Sequence, residues 1–268
     1  MVRISNTVFT FINIFPFFLG VVSVVASIHF RLHGGSVCLN ALQNPLLIIG
    51  LVLFAVSLLA FIGSCCSNAN SVLAVYSILM TLVILALTGF TLFAVVVTNK
   101  GVARRISGLG FSEYRLGDYS GWLRDNFVNH NSWDHTRSCL IDSHVCTTLH
   151  SRATFSDFIK QKLSSIQSGC CKPPMYCKFV YKNATFWIMQ KSGPDVEDSD
   201  CRTWSNDKQK LCYNCKSCKG GVLANIRKEW RLLAILNICI LVLVLITFNI
   251  GCSIRKNRKA DEKNYTAA

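Results

Sequence analysis

The sequence predicts an all-α membrane protein, a four-transmembrane-helix bundle with a large disulfide-stabilised extracellular loop between helices 3 and 4. Three observations predict it. Four apolar runs, Val8 to Ile28, Pro45 to Gly63, Ser71 to Thr98 and Leu232 to Ile254, hold no Asp, Glu, Lys or Arg. Nine of the 14 cysteines fall in the one long polar stretch between the third and fourth runs. Basic residues crowd the end of the fourth run.

Each apolar run has 19 or more residues. A bilayer needs roughly 20 at 1.5 Å per residue, and a buried helix of a soluble protein rarely runs so far without a charged face. The runs predict spans at 8–28, 45–63, 71–98 and 232–254. The first is longer than the ~7–15 apolar residues of a signal peptide, and no small-x-small site follows it before His29-Phe30-Arg31. It is therefore expected to be retained as an anchor.

Orientation follows from the short ends. Arg255, Lys256, Arg258, Lys259 and Lys263 flank the fourth span, whereas the loop 29–44 carries only Arg31. The positive-inside rule places the tail, 255–268, in the cytosol, and with four spans the N-terminus, 1–7, as well. The link 64–70 is then cytosolic, 29–44 is a small extracellular loop and 99–231 a large one. The large loop holds 21 Lys and Arg against 12 Asp and Glu, but long loops translocate regardless of charge. The formal charge of +14 thus reads as a solvated loop and a tail that attracts anionic lipid. No nucleic-acid module signature accompanies it, so no nucleic-acid partner is expected.

Within the spans, Asn13 and Gly20 lie seven apart, and Gly50, Ser57 and Ser64 repeat at seven. Small residues at that spacing let helix backbones approach. Asn13, Asn237 and Asn249 are costly facing lipid and are expected to point inward. No intramembrane acid, Lys, Arg or His supports an ion path. The link Ser64 to Asn70 is short enough to force the second and third helices to be antiparallel neighbours. Cys239, inside the fourth span, reads as packing.

The large loop begins with a helical pattern. Tyr114, Leu116, Tyr119, Trp122, Leu123 and Phe127 recur at three- and four-residue spacing, which predicts an amphipathic helix leading out of the third span. Ser132 is a candidate cap for a second helix carrying Trp133 and Cys139. Phe155, Phe158, Ile159, Leu163 and Ile166 predict a third, running to Gly169, with Pro173 and Pro174 blocking a restart. Cys177 to Cys218 is irregular. From about Val222 a single helix is expected to enter the fourth span and end near Ile254, with a disordered tail beyond.

The loop cysteines are Cys139, Cys146, Cys170, Cys171, Cys177, Cys201, Cys212, Cys215 and Cys218. Cys170 and Cys171 are adjacent, so their side chains diverge and each needs a distant partner. Nine is odd; Cys38 in the small loop makes ten and allows five disulfides. An exterior compartment makes disulfides the expected state. Zinc or redox chemistry at Cys212-x-x-Cys215-x-x-Cys218 is the rival, and it lacks a second CxxC at finger spacing. His130, His135, His144 and His150 cluster near Cys139 and Cys146 without ligand spacing and read as surface histidines. No metal or cofactor is expected.

Cys65, Cys66 and Cys252 lie at cytosolic membrane boundaries and are candidates for S-acylation. Asn183-Ala184-Thr185 is a usable exterior glycosylation sequon, and Asn264-Tyr265-Thr266 is expected to be silent. There are no catalytically spaced carboxylates, no GxSxG, no phosphate loop and no HExxH, so nothing argues for an enzyme.

Four spans, a small then a large exterior loop, a very short link and a Cys-Cys pair ending a loop helix together resemble the tetraspanins over essentially the whole chain. Animal members carry Cys-Cys-Gly. Gly169-Cys170-Cys171-Lys172-Pro173-Pro174 resembles the plant branch, as do Glu113 to Leu116, Ser120 to Leu123, Asp200-Cys201 and Leu211 to Lys219. The resemblance implies Cys170–Cys218 and Cys171–Cys201 disulfides. Asn13 matches the family's polar residue in the first span, whereas the acidic or Gln residues usual in the third and fourth are missing. It also implies a non-enzymatic plasma-membrane scaffold that binds other membrane proteins, including tetraspanin homo- or hetero-oligomers, and membrane lipids. The variable part of the loop, about Cys171 to Cys218, would carry recognition, in plant cell differentiation, development or vesicle-associated signalling. A four-span channel or transporter is the alternative; it predicts a polar path that the apolar spans do not offer.

Overall fold

The computed structural model describes residues 2–33, 37–65, 70–100, 104–105, 109–147, 149, 154–189 and 198–266. Three long helices come first: α1 (Val2–His33), α2 (Val37–Cys65) and α3 (Asn70–Thr98). A short antiparallel pair, β1 (Arg104–Arg105) and β2 (Ser112–Glu113), opens the polar stretch. Helices α4 (Gly121–Phe127), α5 (His130–Asp142), α6 (Phe155–Lys160) and α7 (Ser165–Cys170) follow. A hairpin of β3 (Val180–Asn183) and β4 (Phe186–Ile188), a short α8 (Ser199–Thr203) and the 51-residue α9 (Lys216–Thr266) complete the chain. It divides into two compact units, Met1–Leu92 with Ala234–Ala268, and Phe93–Leu233.

Among the described residues, three helices are long and apolar enough to cross a membrane. They are Thr10–His29 in α1, Ala74–Thr98 in α3 and a stretch of α9 within Lys216–Asn257. The fourth apolar segment, Leu47–Gly63 in α2, is shorter. Phe11, Phe18, Leu82 and Leu243 are exposed along these helices, the pattern of surfaces that face hydrocarbon.

In the first unit, α1 and α2 touch through glycine. A Cβ on Gly20 would lie 2.8 Å from the Phe54 nitrogen and 3.0 Å from the Gly50 carbonyl oxygen. Only a residue without a side chain permits that approach. Phe17 stacks on Phe54 and Phe61, with ring centroids 5.2 and 5.6 Å away. Asn13 and Tyr76 are both buried. Asn237 donates to the Leu87 carbonyl at 2.9 Å and to Thr91 Oγ1 at 2.6 Å. Asn249 differs from expectation. It is exposed and donates to the Leu245 carbonyl of its own helix at 2.8 Å, which satisfies the amide without an interhelical partner. Cys239 also lies on an exposed face, so it does not pack between helices.

The second unit is capped turn by turn. Ser120 accepts the Leu123 N–H and begins α4. Leu116–Asp118 is a 3-10 turn and Glu113 belongs to β2, so the predicted amphipathic helix from Tyr114 is limited to its last turns. Asn129, not Ser132, caps α5, because its carboxamide oxygen accepts the Ser132 N–H at 2.8 Å. The predicted third helix is two helices. Gln161 is extended, and Gly110 packs its backbone on the Lys160 and Gln161 carbonyls while donating to the Ile159 carbonyl at 2.6 Å. Ser164 and Gln167 then form a capping box that starts α7.

The core of this unit buries Leu123, Phe158 and Leu223 completely, each contributing roughly 1.5–3 kcal/mol. Tyr181 and Trp187 stack on Phe158 at 5.2 and 5.8 Å. Helix α7 lies directly on the start of α9. Cβ atoms on Gly169 and Gly221 would collide with the backbone oxygens of Ser217 and Ser165.

Helix α9 begins six residues before the expected Val222 and continues to Thr266. The tail expected to be disordered is therefore helical. Lys256 to Asn264 lacks Gly and Pro and is rich in helix formers, so nothing stops the helix at Ile254.

A disulfide frame and the hairpin it presents

Among the described residues, four disulfides have both partners placed, and these four lie in the second unit. Cys170–Cys218 ties α7 to α9, with Cα atoms 4.3 Å apart. Cys146–Cys171 ties the same corner to the turn that follows α5. Cys177–Cys201 joins the segment before the hairpin to α8. Cys212–Cys215 closes a loop at the foot of α9. Cys139 is disulfide-bonded as well. The adjacent pair thus anchors two different regions at one point.

The expected Cys171–Cys201 bond is absent. After Pro174 a 3-10 turn, Met175–Cys177, carries Cys177 to α8. Cys171, at the end of α7, instead reaches Cys146. With the sulfurs of Cys212 and Cys215 joined to each other, neither is a thiolate ligand for zinc. Among the described residues, no group of three His, Cys, Asp or Glu side chains converges as a metal ion requires. The Cys38, Cys65 and Cys66 side chains, and His150, lie outside the described residues. Cys252 is a free, half-buried thiol 3.7 Å from Ser77 Oγ.

Two carboxylates set this frame. Asp200 is buried, and its two oxygens accept the Lys216 and Ser217 N–H groups at 2.7 and 2.8 Å. It caps α9 from well upstream in the chain, where a negative charge suits the helix dipole. Glu113 accepts the Met175 N–H at 2.6 Å and pairs with Lys172 at 3.4 Å. Lys172 is 1% exposed and lies 4.6 Å from the centre of the Phe111 ring. Burial pulls its ammonium below the ordinary lysine range, and the Glu113 carboxylate opposes that shift. A cleft of about 400 Å³ opens beside this pair, between Tyr114, Arg115, Tyr176 and Ser217. Sequence reading missed both carboxylates' roles. The Asp200-Cys201 and Gly169 to Pro174 signatures are the signals that mark their surroundings.

The frame presents the β3–β4 hairpin. Tyr181 and Trp187 are paired across it and face the core. Val180 and Ile188 are paired on the other face. With Phe186 and Met189 they are 42–46% exposed. The Asn206 carboxamide accepts the Trp187 N–H at 2.9 Å and donates to the Trp187 carbonyl at 3.0 Å. It thereby occupies hydrogen-bonding positions of the β4 edge that another strand would use. Asn183 sits at the turn, its side-chain oxygen accepting the Thr185 N–H at 3.0 Å.

Apolar spanning helices joined to a disulfide-framed unit define a membrane protein with a cross-linked loop domain. The model of the tetraspanin family matches residues 2–255. Three similar proteins of Arabidopsis thaliana are Tetraspanin-11, Tetraspanin-8 and Tetraspanin-7. Tetraspanin-11 is 43% identical, covering 98% of this chain and 99% of its own length. Tetraspanin-8 is 39% identical, covering 98% and 96%. Tetraspanin-7 is 38% identical, covering 97% and 99%. This chain belongs to the tetraspanin family and is of the plant type. No solved structure matches it.

Proposed function

We propose that the chain is a four-span scaffold that organises partner membrane proteins laterally through its disulfide-locked extracellular loop. The work is that of the plant cell surface, in differentiation, development or vesicle-associated signalling. The carrying observation is the hairpin, whose outer face keeps Val180, Phe186 and Ile188 exposed on a unit held by buried disulfides. A rigid apolar face is well suited to binding, because little ordering entropy is lost. Both termini are cytosolic in this reading, and the spans are 8–28, 45–63, 71–98 and 232–254. Cys38 and the nine loop cysteines are the exterior, oxidised set. Asn183 carries a glycan, and Cys65, Cys66 and Cys252 carry acyl chains.

Proximity labelling in plant cells tests it, comparing the native chain with one whose Cys171–Cys218 segment is exchanged for that of another family member. The neighbour set is expected to change with the segment. An unchanged set in a correctly localised exchange would remove the loop as the recognition surface.

A further inference from the structure

Of the exposed large apolar side chains in the polar stretch, Trp122 stands apart from the hairpin. It is 40% exposed and follows the first residue of α4. Its neighbour Leu123 is fully buried in the loop core, which fixes the helix and aims the indole elsewhere. The indole packs edge-on against Phe93 at 4.9 Å and against Trp230 at 5.8 Å. Phe127 joins them, 5.8 Å from Trp230.

Phe93 lies five residues before the end of α3 at Thr98, a depth of about 7.5 Å at 1.5 Å per residue. It is itself 39% exposed, beside the exposed Val95 and Val96. Above it sits a polar collar, in which Arg227 Nε and Arg231 Nη2 donate to the Thr98 carbonyl at 2.9 and 3.2 Å. Trp122 therefore reaches below the polar collar to the level of apolar span residues. Indole rings concentrate at that level of a bilayer, where an apolar body and an N–H donor both find partners. The exposed Arg124, two residues on, suits phosphate.

We infer that α4 is a membrane-interface anchor: Trp122 inserts among the phospholipids of the outer leaflet and extends the lipid-facing surface of α3 into the loop. This rests on the reading that α3 and α9 span a bilayer.

The test uses the full chain in nanodiscs of phosphatidylcholine bearing a diazirine near the headgroup end of one acyl chain. After irradiation, adducts are mapped by mass spectrometry. The peptide Leu116–Arg124 is expected to carry lipid adducts, as are α3 and α9, and Trp122→Ser is expected to lose the adduct on that peptide only. Adducts on the spans with none on Leu116–Arg124 overturn the anchor and leave the spans standing. Absence of adducts from α3 and α9 overturns the spanning reading itself. The wild-type adduct is read directly, so the result stands whether or not the variant folds.

Discussion

Lys172 carries a positive charge into the interior of the loop unit, where it meets Glu113 at 3.4 Å and the face of Phe111. Lys172→Met keeps the volume and leaves the Glu113 carboxylate without its cation, which is expected to cost about 3–5 kcal/mol. Adding Glu113→Gln keeps an acceptor for the Met175 N–H and removes the orphan charge, so the double variant is expected to recover more than half of that loss. Denaturant unfolding of the purified protein reads both, and equal losses in the single and double variants would refute the pairing. The pH dependence has a definite sign. The folded-state pKa lies below the usual 10.5, so the unfolded chain holds the proton more tightly. Stability attributable to this residue rises as pH climbs through the interval ending at 10.5 and is lost as pH falls through it. Lys172→Met is expected to flatten that rise. Motif reading located Lys172 but not its burial, because a lysine beside two prolines looks like a surface residue until the disulfides close over it. Asn13 and Asn237 were legible as inward residues because an unpaired amide is costly in lipid. Asn249 was not, since a carbonyl four residues earlier on its own helix satisfies it.

At the scale of elements, helix ends decided most departures from the periodic pattern. Apolar spacing found α4, α6 and α7 but joined what caps separate. Asn129, Ser164 and Gln167 make local bonds that compete with a continued helix. Asp200 is the longest-range of these caps. Asp200→Ala leaves the first N–H groups of α9 unpaired in a buried site and is expected to cost about 2 kcal/mol. Hydrogen exchange should show the loss confined to the start of α9 and to α8. Asp200→Asn keeps one acceptor and should fall between the two. Uniform loss of protection throughout the chain would argue against a capping role. No periodicity could have exposed this contact, because the chain between Asp200 and α9 follows no single repeat. The α1–α2 crossing was partly legible from Gly20 and Gly50, since small residues in a span have few other uses.

The whole molecule turns on which side of the membrane the cross-linked unit occupies. If the large loop is exterior, Asn183 at the hairpin turn carries the glycan. Digestion with a peptide N-glycosidase, or Asn183→Gln, is then expected to remove one mobility step on a gel, whereas Asn264→Gln leaves it. The reverse pattern would invert the topology. The sequence by itself determined the apolar segments, the cysteine-rich stretch between the third and fourth, and the family, because hydropathy, charge bias and contiguous motifs are local properties of the chain. Tertiary structure alone decided that Cys171 bonds Cys146 and Cys177 bonds Cys201. It also decided that Asp200 caps α9, and that Trp122 turns from the loop core toward Phe93. Each of these depends on where irregular backbone brings distant residues, and pairings among so many cysteines are not ranked by spacing alone.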